Sequence, residues 1–320
     1  MTTLGRFLVT LMAAAALVAV TVVATRYLSV SKLEPPAAPA AVEPAAKPAE
    51  LVAAAAMPSA PKSGPVAGTP AAPAVAAVPA GPGEAAADEG LAILKDRPVE
   101  AQKRLSEALR AGVDGPKGKT VRDALNALAD RLQLAPRFLL PGDPYSKSCE
   151  VVSGDTLIGI GQRFLIPYEL IMRLNRMSSP SLVAGETIKV IQGPIHVELF
   201  KSRYELQAWL GDVCLRVYPV GLGADNKTPE GTFLVKNKVM YPPYQPQHKP
   251  VSEHRASGAP DNPLGTRWID IGDHYGIHGT IDPVSVGRSV SEGCIRMHGK
   301  DVEELYDLLV MGASKVIIRP

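Results

Sequence analysis

The sequence has no large excess of either sign of charge, and this near balance limits the classes of partner that it can bind. Its 34 lysines and arginines nearly balance its 32 aspartates and glutamates, which gives a formal net charge of +2. A chain without a strong positive excess has no general electrostatic attraction to nucleic acid or to acidic membranes. We therefore expect no nucleic-acid partner.

Cysteine is also scarce, with only Cys149, Cys214 and Cys294 in 320 residues. In an exported protein with an odd number of cysteines, disulfides within the chain leave at least one thiol unpaired. Cys149 and Cys214 either form a disulfide with each other, which leaves Cys294 as a free thiol, or are buried as unpaired, small apolar side chains. Both alternatives stay open from the sequence.

A charge-free stretch near the N-terminus predicts export. Residues 7–25 are 19 uncharged residues between Arg6 and Arg26, about enough for a helix to cross a bilayer. We assign residues 1–30 to a membrane anchor or signal, with the rest of the chain outside the cytoplasm. The apolar run exceeds the core of most signal peptides, which favours an uncleaved anchor, and cleavage is the alternative.

Two segments without recognisable chemistry follow. Residues 31–89 are rich in alanine and proline and predict a disordered linker, because they offer few large apolar side chains to a core. Residues 90–141 have helical spacing and predict an α-helical hairpin, with one helix from Pro98 to near Gly112 and a second capped by Thr120. We expect the hairpin to be a spacer or a docking element.

Residues 147–193 predict a small β-α-α-β domain. Extended segments at Glu150–Val152 and Thr187–Ile191 flank two helices, at Leu157–Phe164 and from Pro167 to Leu174. The motifs in this block are Val152-Ser153-Gly154-Asp155-Thr156-Leu157, Leu174-Asn175 and Leu182-Val183-Ala184-Gly185-Glu186-Thr187-Ile188-Lys189-Val190. On these motifs the block resembles a lysin-motif (LysM) domain.

The LysM resemblance implies binding to glycans that contain N-acetylglucosamine, in peptidoglycan or chitin. The implied groove lies between Gly154, Asp155 and Thr156 on one side and Asn175 and Arg176 on the other. The alternative is a degenerate module that serves only as a spacer.

From residue 194 to residue 320 short strands dominate, so the chain is predicted to be multidomain with a mainly-β last domain, a β-sandwich or barrel-like sheet with one helix. The expected strands are His196–Phe200, Glu205–Leu210, Val213–Val220, Thr232–Asn237 and Lys315–Arg319, and the expected helix is Asp301–Met311.

Two segments of this domain hold a histidine and a cysteine. They are Tyr275-Gly276-Ile277-His278-Gly279-Thr280 and Ser291-Glu292-Gly293-Cys294-Ile295-Arg296-Met297. A nearby imidazole raises the thiolate fraction of a thiol, so Cys294 can attack a carbonyl while His278 carries the proton. Gly293 permits a tight turn that aims backbone N–H groups at an oxyanion, and Arg296 is a bidentate donor suited to a carboxylate.

Zinc binding is the rival chemistry, because His274 and His278, and Cys294 and His298, are each four residues apart. If Ile271–His278 is one strand, four residues span about 13 Å, too far for His274 and His278 to share an ion. We expect no metal and no cofactor.

The two segments resemble the signature of the YkuD-type L,D-transpeptidases, a His-Gly-Thr followed after a spacer by Ser-x-Gly-Cys-x-Arg. Further matches are Val220-Gly221-Leu222-Gly223, Thr228-Pro229-Glu230-Gly231-Thr232-Phe233 and Asn262-Pro263-Leu264-Gly265-Thr266-Arg267-Trp268. The family implies that Cys294 takes the acyl group of the third residue of a peptidoglycan stem and D-alanine leaves. An amine on a second stem then resolves the thioester as a 3→3 cross-link.

The resemblance also implies residue roles and partners. His278 is the implied proton carrier, oriented by the backbone carbonyl of Gly279. The implied substrate-binding residues are Ser291, Arg296, Thr280 and Tyr275. The implied partners are peptidoglycan stem peptides and glycan strands, bound by a monomer in the periplasm or cell wall that residues 7–25 anchor in the inner or cytoplasmic membrane.

Several points stay open from the sequence. Many family members have histidine where this chain has Glu292, which leaves the side-chain role of that position undecided. Met240–Asp261 is either a loop over the acyl site or a plain surface loop, and Trp268 either packs in the core or touches substrate. Water or a protein amine as acceptor gives an L,D-carboxypeptidase or a protein-anchoring transferase, and loss of catalysis gives a glycan-binding scaffold.

Overall fold

The computed structural model describes residues 81–246 and 249–320. The expected anchor at residues 1–30 and the linker as far as residue 80 lie outside the described residues. Among the residues described, no helix is both long enough and apolar enough to cross a membrane.

Three helices open the described part of the chain. They are α1 (Pro82–Ala92), α2 (Pro98–Arg110) and α3 (Gly115–Arg131). This corrects the expected hairpin at 90–141, and α1 occupies residues 82–89 that the composition assigned to the linker. Small residues let α1 pack closely on α2: a Cβ at Gly90 would lie 2.7 Å from Cγ of Leu105.

Helix α3 also begins earlier than the sequence suggested. Thr120 is not its cap, because the Thr120 hydroxyl donates a hydrogen bond to the Pro116 carbonyl inside the helix. The apolar face of α3 is buried as its spacing predicts, with Val121 and Leu125 fully inaccessible to solvent.

The next block has the β-α-α-β order that the sequence predicted. Its elements are β1 (Ser146–Glu150), α4 (Leu157–Phe164), α5 (Tyr168–Asn175) and β2 (Thr187–Ile191), with the two strands antiparallel. Thr156 caps α4, since its hydroxyl accepts a hydrogen bond of 3.0 Å from the Gly159 N–H. Strand β1 ends where the extended segment Glu150–Val152 was expected to begin.

This block is joined closely to its neighbours on both sides. Lys189 on β2 is only 3% exposed, and its ammonium donates to the carbonyls of Leu132 and Ala135, just past the end of α3. At the other end a Cβ at Gly193 would lie 2.2 Å from the Leu165 carbonyl oxygen. Apolar residues of the block and of the domain that follows also belong to one hydrophobic core.

The last domain is mainly β with one α-helix, as predicted. Its elements are β3 (Ile195–Phe200), β4 (Glu205–Leu210), β5 (Val213–Pro219), β6 (Leu222–Gly223), β7 (Gly231–Leu234), β8 (Asn237–Met240), β9 (Arg267–Gly272), β10 (Tyr275–His278), β11 (Ser289–Ser291), β12 (Ile295–Arg296), α6 (Gly299–Leu308) and β13 (Lys315–Arg319). One sheet has the order β5-β4-β3-β13-β7, a second has β12-β10-β9-β8, and β6 pairs with β11. Apolar residues of both large sheets share one hydrophobic core.

Two expected strands are interrupted. The predicted strand Thr232–Asn237 is divided between β7 and β8. The expected strand Ile271–His278 contains a tight turn, because Asp273 and His274 have left-handed φ angles of 52° and 64°. Asp and His visit this conformation more readily than β-branched residues do, and the turn makes β9 and β10 a hairpin.

The helices at the N-terminal side pack against the five-stranded sheet of the last domain. Trp209 and Cys214 of the five-stranded sheet belong to the same hydrophobic cluster as the faces of α2 and α3. The buried Ser106 hydroxyl on α2 accepts a hydrogen bond of 2.9 Å from the Cys214 N–H. Cys149, Cys214 and Cys294 are all free thiols, and Cys149 and Cys214 are buried, which matches the second of the two alternatives.

Candidate active site

His278 lies at the end of β10, in the interior of the four-stranded sheet. Its direct partners across the sheet are Trp268 on β9 and Arg296 on β12. Residues directly opposite on neighbouring strands point to the same face, so the three side chains form a row. The Trp268 ring stacks on the imidazole with a centroid distance of 5.7 Å and an angle of 20°. Trp268 thus contacts the expected proton carrier, a role the sequence did not suggest.

Cys294 is brought to the same face by the register of two parallel strands. Ile277 of β10 pairs with Ile295 of β12, which sets Cys294, immediately before β12, beside Gly276. Because side chains alternate along a strand, the side chains of Cys294 and His278 project from the same face. Cys294 is partly exposed, and its thiol contacts the His274 carbonyl oxygen at 3.9 Å.

The loop before Cys294 depends on glycine. Gly293 has a φ of 129°, and a Cβ there would lie 2.6 Å from the Tyr275 ring. The Ser291 hydroxyl accepts a hydrogen bond of 3.2 Å from the Gly293 N–H and donates one of 2.6 Å to the Cys294 carbonyl. This corrects the expected role of Gly293, because its own N–H is engaged by Ser291. Ser291 is 5% exposed, and its two hydrogen bonds stabilise the loop from its buried side.

The tautomer of His278 follows from its neighbour. The Nδ1 atom lies 2.6 Å from the Gly279 carbonyl oxygen, which can only accept, so Nδ1 carries the proton and Nε2 is an acceptor. Burial lowers the pKa of His278 to about 4; the bond to Gly279 acts in the opposite direction, and the Arg296 charge lowers the pKa further. The imidazole is therefore neutral at neutral pH.

The thiol is also neutral at rest. Burial raises the pKa of Cys294 above its ordinary value, while a hydrogen bond with the Gly276 backbone and the charge of Arg296 lower it, and Glu292 raises it. A neutral thiol beside a neutral imidazole favours proton transfer to Nε2 during attack rather than a standing thiolate–imidazolium pair.

The other expected substrate residues differ in their exposure and contacts. Arg296 is partly exposed, and its Nε atom is buried with no hydrogen-bond partner among the described residues. Tyr275 is partly exposed beside Gly293, and the partly exposed Thr280 accepts a hydrogen bond from the Asp282 N–H. Glu292 is exposed.

The loop Met240–Asp261 approaches this site. Tyr244 and Arg255 form an isolated β-bridge across it, and the buried Asn262 amide donates to the Pro242 carbonyl at its base. The pKa of Lys249 is raised by Glu253 first, and the more distant Glu292 contributes to the rise. Lys249 therefore lies near enough to Glu292 for their charges to interact. This favours the alternative in which the loop borders the acyl site.

No metal cluster accompanies the thiol in residues 81–246 and 249–320: no three His, Cys, Asp or Glu side chains are grouped to hold an ion. His274 is exposed at the β9–β10 turn.

The expected glycan-binding residues of the LysM block divide into two groups. Gly154, Thr156 and Arg176 are exposed, and the Asp155 carboxylate binds Arg163 and the Val152 N–H. Asn175 is corrected to a structural residue, because its 4% exposed amide is engaged with the backbone N–H and carbonyl of Lys189.

Thr228 was missed as a site residue although it lies in a matching motif. Its hydroxyl donates a hydrogen bond of 3.0 Å to the Gly293 carbonyl across 65 residues of sequence. Only the motif match could have flagged it, since spacing along the chain does not predict so distant a contact.

Comparisons with known proteins identify two domains in this chain. The model of the YkuD L,D-transpeptidase catalytic domain matches residues 194–318, and that of the LysM domain matches residues 149–190. The putative L,D-transpeptidase YkuD of Bacillus subtilis is 32% identical over 179 residues, covering 53% of this chain and 98% of that protein. The putative L,D-transpeptidase YqjB of the same species is 38% identical over 148 residues, covering 44% and 80%. An L,D-transpeptidase structure from Mycobacterium smegmatis is similar at 20% identity and a TM-score of 0.34, covering 43% of this chain and 65% of that one.

The two family models define an L,D-transpeptidase catalytic domain preceded by a LysM domain. The chain belongs to the YkuD-type L,D-transpeptidase family, since it matches nearly the full length of the Bacillus YkuD protein. Both sequence resemblances are thereby confirmed. The two domains imply peptidoglycan binding and a place in the cell wall or envelope.

Proposed function

We propose that this protein is a peptidoglycan L,D-transpeptidase that forms 3→3 cross-links through a thioester on Cys294. The observation that carries the proposal is the placement of Cys294 and His278 on one face of adjacent strands, with the Nε2 atom of His278 left as acceptor. Family membership supplies the class of substrate.

In the first half-reaction the Cys294 sulfur attacks the carbonyl carbon at the L-centre of the third stem residue, and its proton passes to Nε2 of His278. The oxyanion accepts a hydrogen bond from the Cys294 N–H. When the C–N bond to D-alanine breaks, His278 returns the proton to the leaving amine. The carbon–sulfur thioester remains.

In the second half-reaction an amine on another stem attacks the thioester carbonyl and gives its proton to His278. The carbon–sulfur bond then breaks, and the sulfur recovers a proton from His278. Arg296, whose Nε atom has no hydrogen-bond partner among the described residues, is proposed to bind a carboxylate of the donor stem through its guanidinium.

The LysM domain is proposed to direct the enzyme to glycan strands through exposed residues of the loops around Gly154 and Arg176. Residues 7–25 are proposed to hold the protein at the membrane, and a monomer is proposed as the working form. Fractionation of cells that express the chain with and without residues 1–30 tests the anchor.

Mass spectrometry of muropeptides tests the proposed reaction. Purified full-length protein incubated with tetrapeptide muropeptides is expected to form 3→3 dimers, and Cys294→Ala is expected to form none. Cys149→Ala is the matched control, because that thiol is buried in the LysM block. Tripeptide monomers without dimers would identify a carboxypeptidase, and equal product from Cys294→Ala would remove the thiol from the mechanism.

A further inference from the structure

The backbone around the nucleophile is held by two buried hydroxyl groups. Ser291 engages the Gly293 N–H and the Cys294 carbonyl, as described above. Thr228, 1% exposed, lies against the same loop from a different part of the chain, and its hydroxyl donates to the Gly293 carbonyl. Three of the four backbone polar groups of Gly293 and Cys294 are thus fixed, and the Cys294 N–H is the fourth.

The direction of the Thr228 hydrogen bond is unambiguous. Its hydroxyl oxygen accepts a hydrogen bond of 2.8 Å from the Gly223 N–H, which can only donate. The Gly293 oxygen can only accept, so the single hydroxyl proton of Thr228 goes to Gly293.

The two backbones are in direct contact at this point. A Cβ at Gly223 would lie 2.7 Å from Cα of Gly293, and a Cβ at Gly293 would lie 3.2 Å from the Lys227 carbonyl oxygen. The Thr228 hydroxyl is therefore held by a segment that has no room to shift toward Gly293.

The Thr228 contact also sets the direction of the Cys294 N–H. In a planar trans peptide the C=O and the following N–H point in opposite directions. When Thr228 holds the Gly293 carbonyl, the Cys294 N–H must point away from Thr228. Rotation of the Gly293–Cys294 peptide would turn both groups together, so the contact with the Gly293 carbonyl also fixes the direction of the Cys294 N–H.

We propose that Thr228 is a positioning residue for acyl transfer, which holds the Gly293–Cys294 peptide so that the Cys294 N–H stabilises the oxyanion. This role rests on the proposed function, in which Cys294 is acylated. Thr228 does not touch the substrate; it acts through the peptide that it binds.

Two reactions of the same thiol test the proposal in the full-length protein. Acylation by imipenem forms the carbon–sulfur bond, opens the lactam C–N bond and passes through an oxyanion, whereas alkylation by iodoacetamide displaces iodide and forms none. Thr228→Val removes the hydroxyl at nearly constant shape, Thr228→Ser retains it, and Thr232→Val is the matched control, because Thr232 is exposed on β7.

The expected result is a loss of acylation rate without a loss of thiol reactivity. Thr228→Val should acylate roughly 10- to 100-fold more slowly, somewhat less than the loss of an entire oxyanion donor, and should alkylate at the wild-type rate. Thr228→Ser should recover acylation to within about threefold of wild type. Thr232→Val should match wild type in both reactions.

Two outcomes would overturn the positioning role: wild-type acylation by Thr228→Val, or a parallel fall of acylation and alkylation, which would show that the hydroxyl only supports the fold. Circular dichroism monitors folding, and Thr228→Ala supplies the same comparison if the valine variant unfolds. A wild-type protein that alkylates but never acylates would refute the proposed function itself, which is a different result.

Discussion

At the scale of single residues, the proton of Cys294 is the feature that most directly reports on the mechanism. Burial raises the pKa of the thiol and lowers that of His278 to about 4, so neither group is charged at neutral pH. We expect alkylation of Cys294 by iodoacetamide to be slow at neutral pH and to accelerate with rising pH beyond the ordinary thiol range. Stopped-flow alkylation followed by mass spectrometry measures this profile.

Substitution beside the thiol provides the control for that profile. Glu292 raises the pKa of Cys294, so Glu292→Gln should move the alkylation curve to lower pH, while Glu150→Gln, an exposed carboxylate in the LysM block, should leave it in place. A rate that is already constant between about pH 5 and 8 would instead demonstrate a standing thiolate–imidazolium pair.

At the scale of elements, the β9–β10 hairpin sets the geometry around His278. Gly276 gives the Trp268 ring its space, because a Cβ there would lie 2.5 Å from the ring. Gly276→Ala should therefore displace Trp268 from His278, reduce acylation and lower the free energy of unfolding by about 1–3 kcal/mol. Chemical denaturation and imipenem acylation measure the two effects.

Gly299, the first residue of α6, is the matched control, because an added Cβ there meets no atom within 4 Å. Gly299→Ala should retain both stability and acylation. An unchanged Gly276→Ala variant would show that the sheet can accommodate the Trp268 ring elsewhere.

The sequence predicts elements better than it predicts their partners. The strand Glu205–Leu210 and the helix Leu157–Phe164 have the bounds that periodicity gave, because a local pattern suffices for them. Helix α1 was missed because its alanines resemble the preceding Ala/Pro-rich stretch, and burial against α2 decides its structure.

The candidate site shows the same limit. Cys294 and His278 were recognisable from their motifs, but the engaged Gly293 N–H, the buried Asn175 and the stacked Trp268 each depend on contacts with distant strands.

At the scale of the whole molecule, one ion-pair network centred on the buried Arg216 joins the helices, the LysM block and the catalytic domain. Arg216 on β5 binds the Glu304 carboxylate of α6 through two nitrogens and also binds Asp130 of α3, and Arg173 of α5 lies 3.6 Å from Glu304. We expect residues 81–320 to unfold as one cooperative unit. A single calorimetric transition for this part of the chain is the measurement.

Loss of Glu304 should weaken that unit. Glu304→Gln leaves Arg216 and Arg173 without their shared carboxylate and should lower the free energy of unfolding by about 2 kcal/mol. Asp123→Asn, which removes only the exposed pair with Lys119, should have little effect. Independent melting of the LysM block in the wild-type protein would contradict the cooperative unit.

The close packing at Gly193, where the LysM block meets the catalytic domain, bears on which substrates the proposed enzyme can reach. Because apolar residues of the LysM block and of the catalytic domain belong to one hydrophobic core, we expect a bound sugar and Cys294 to keep a constant separation. We therefore expect the enzyme to acylate preferentially the stem peptides that project from the glycan at that separation.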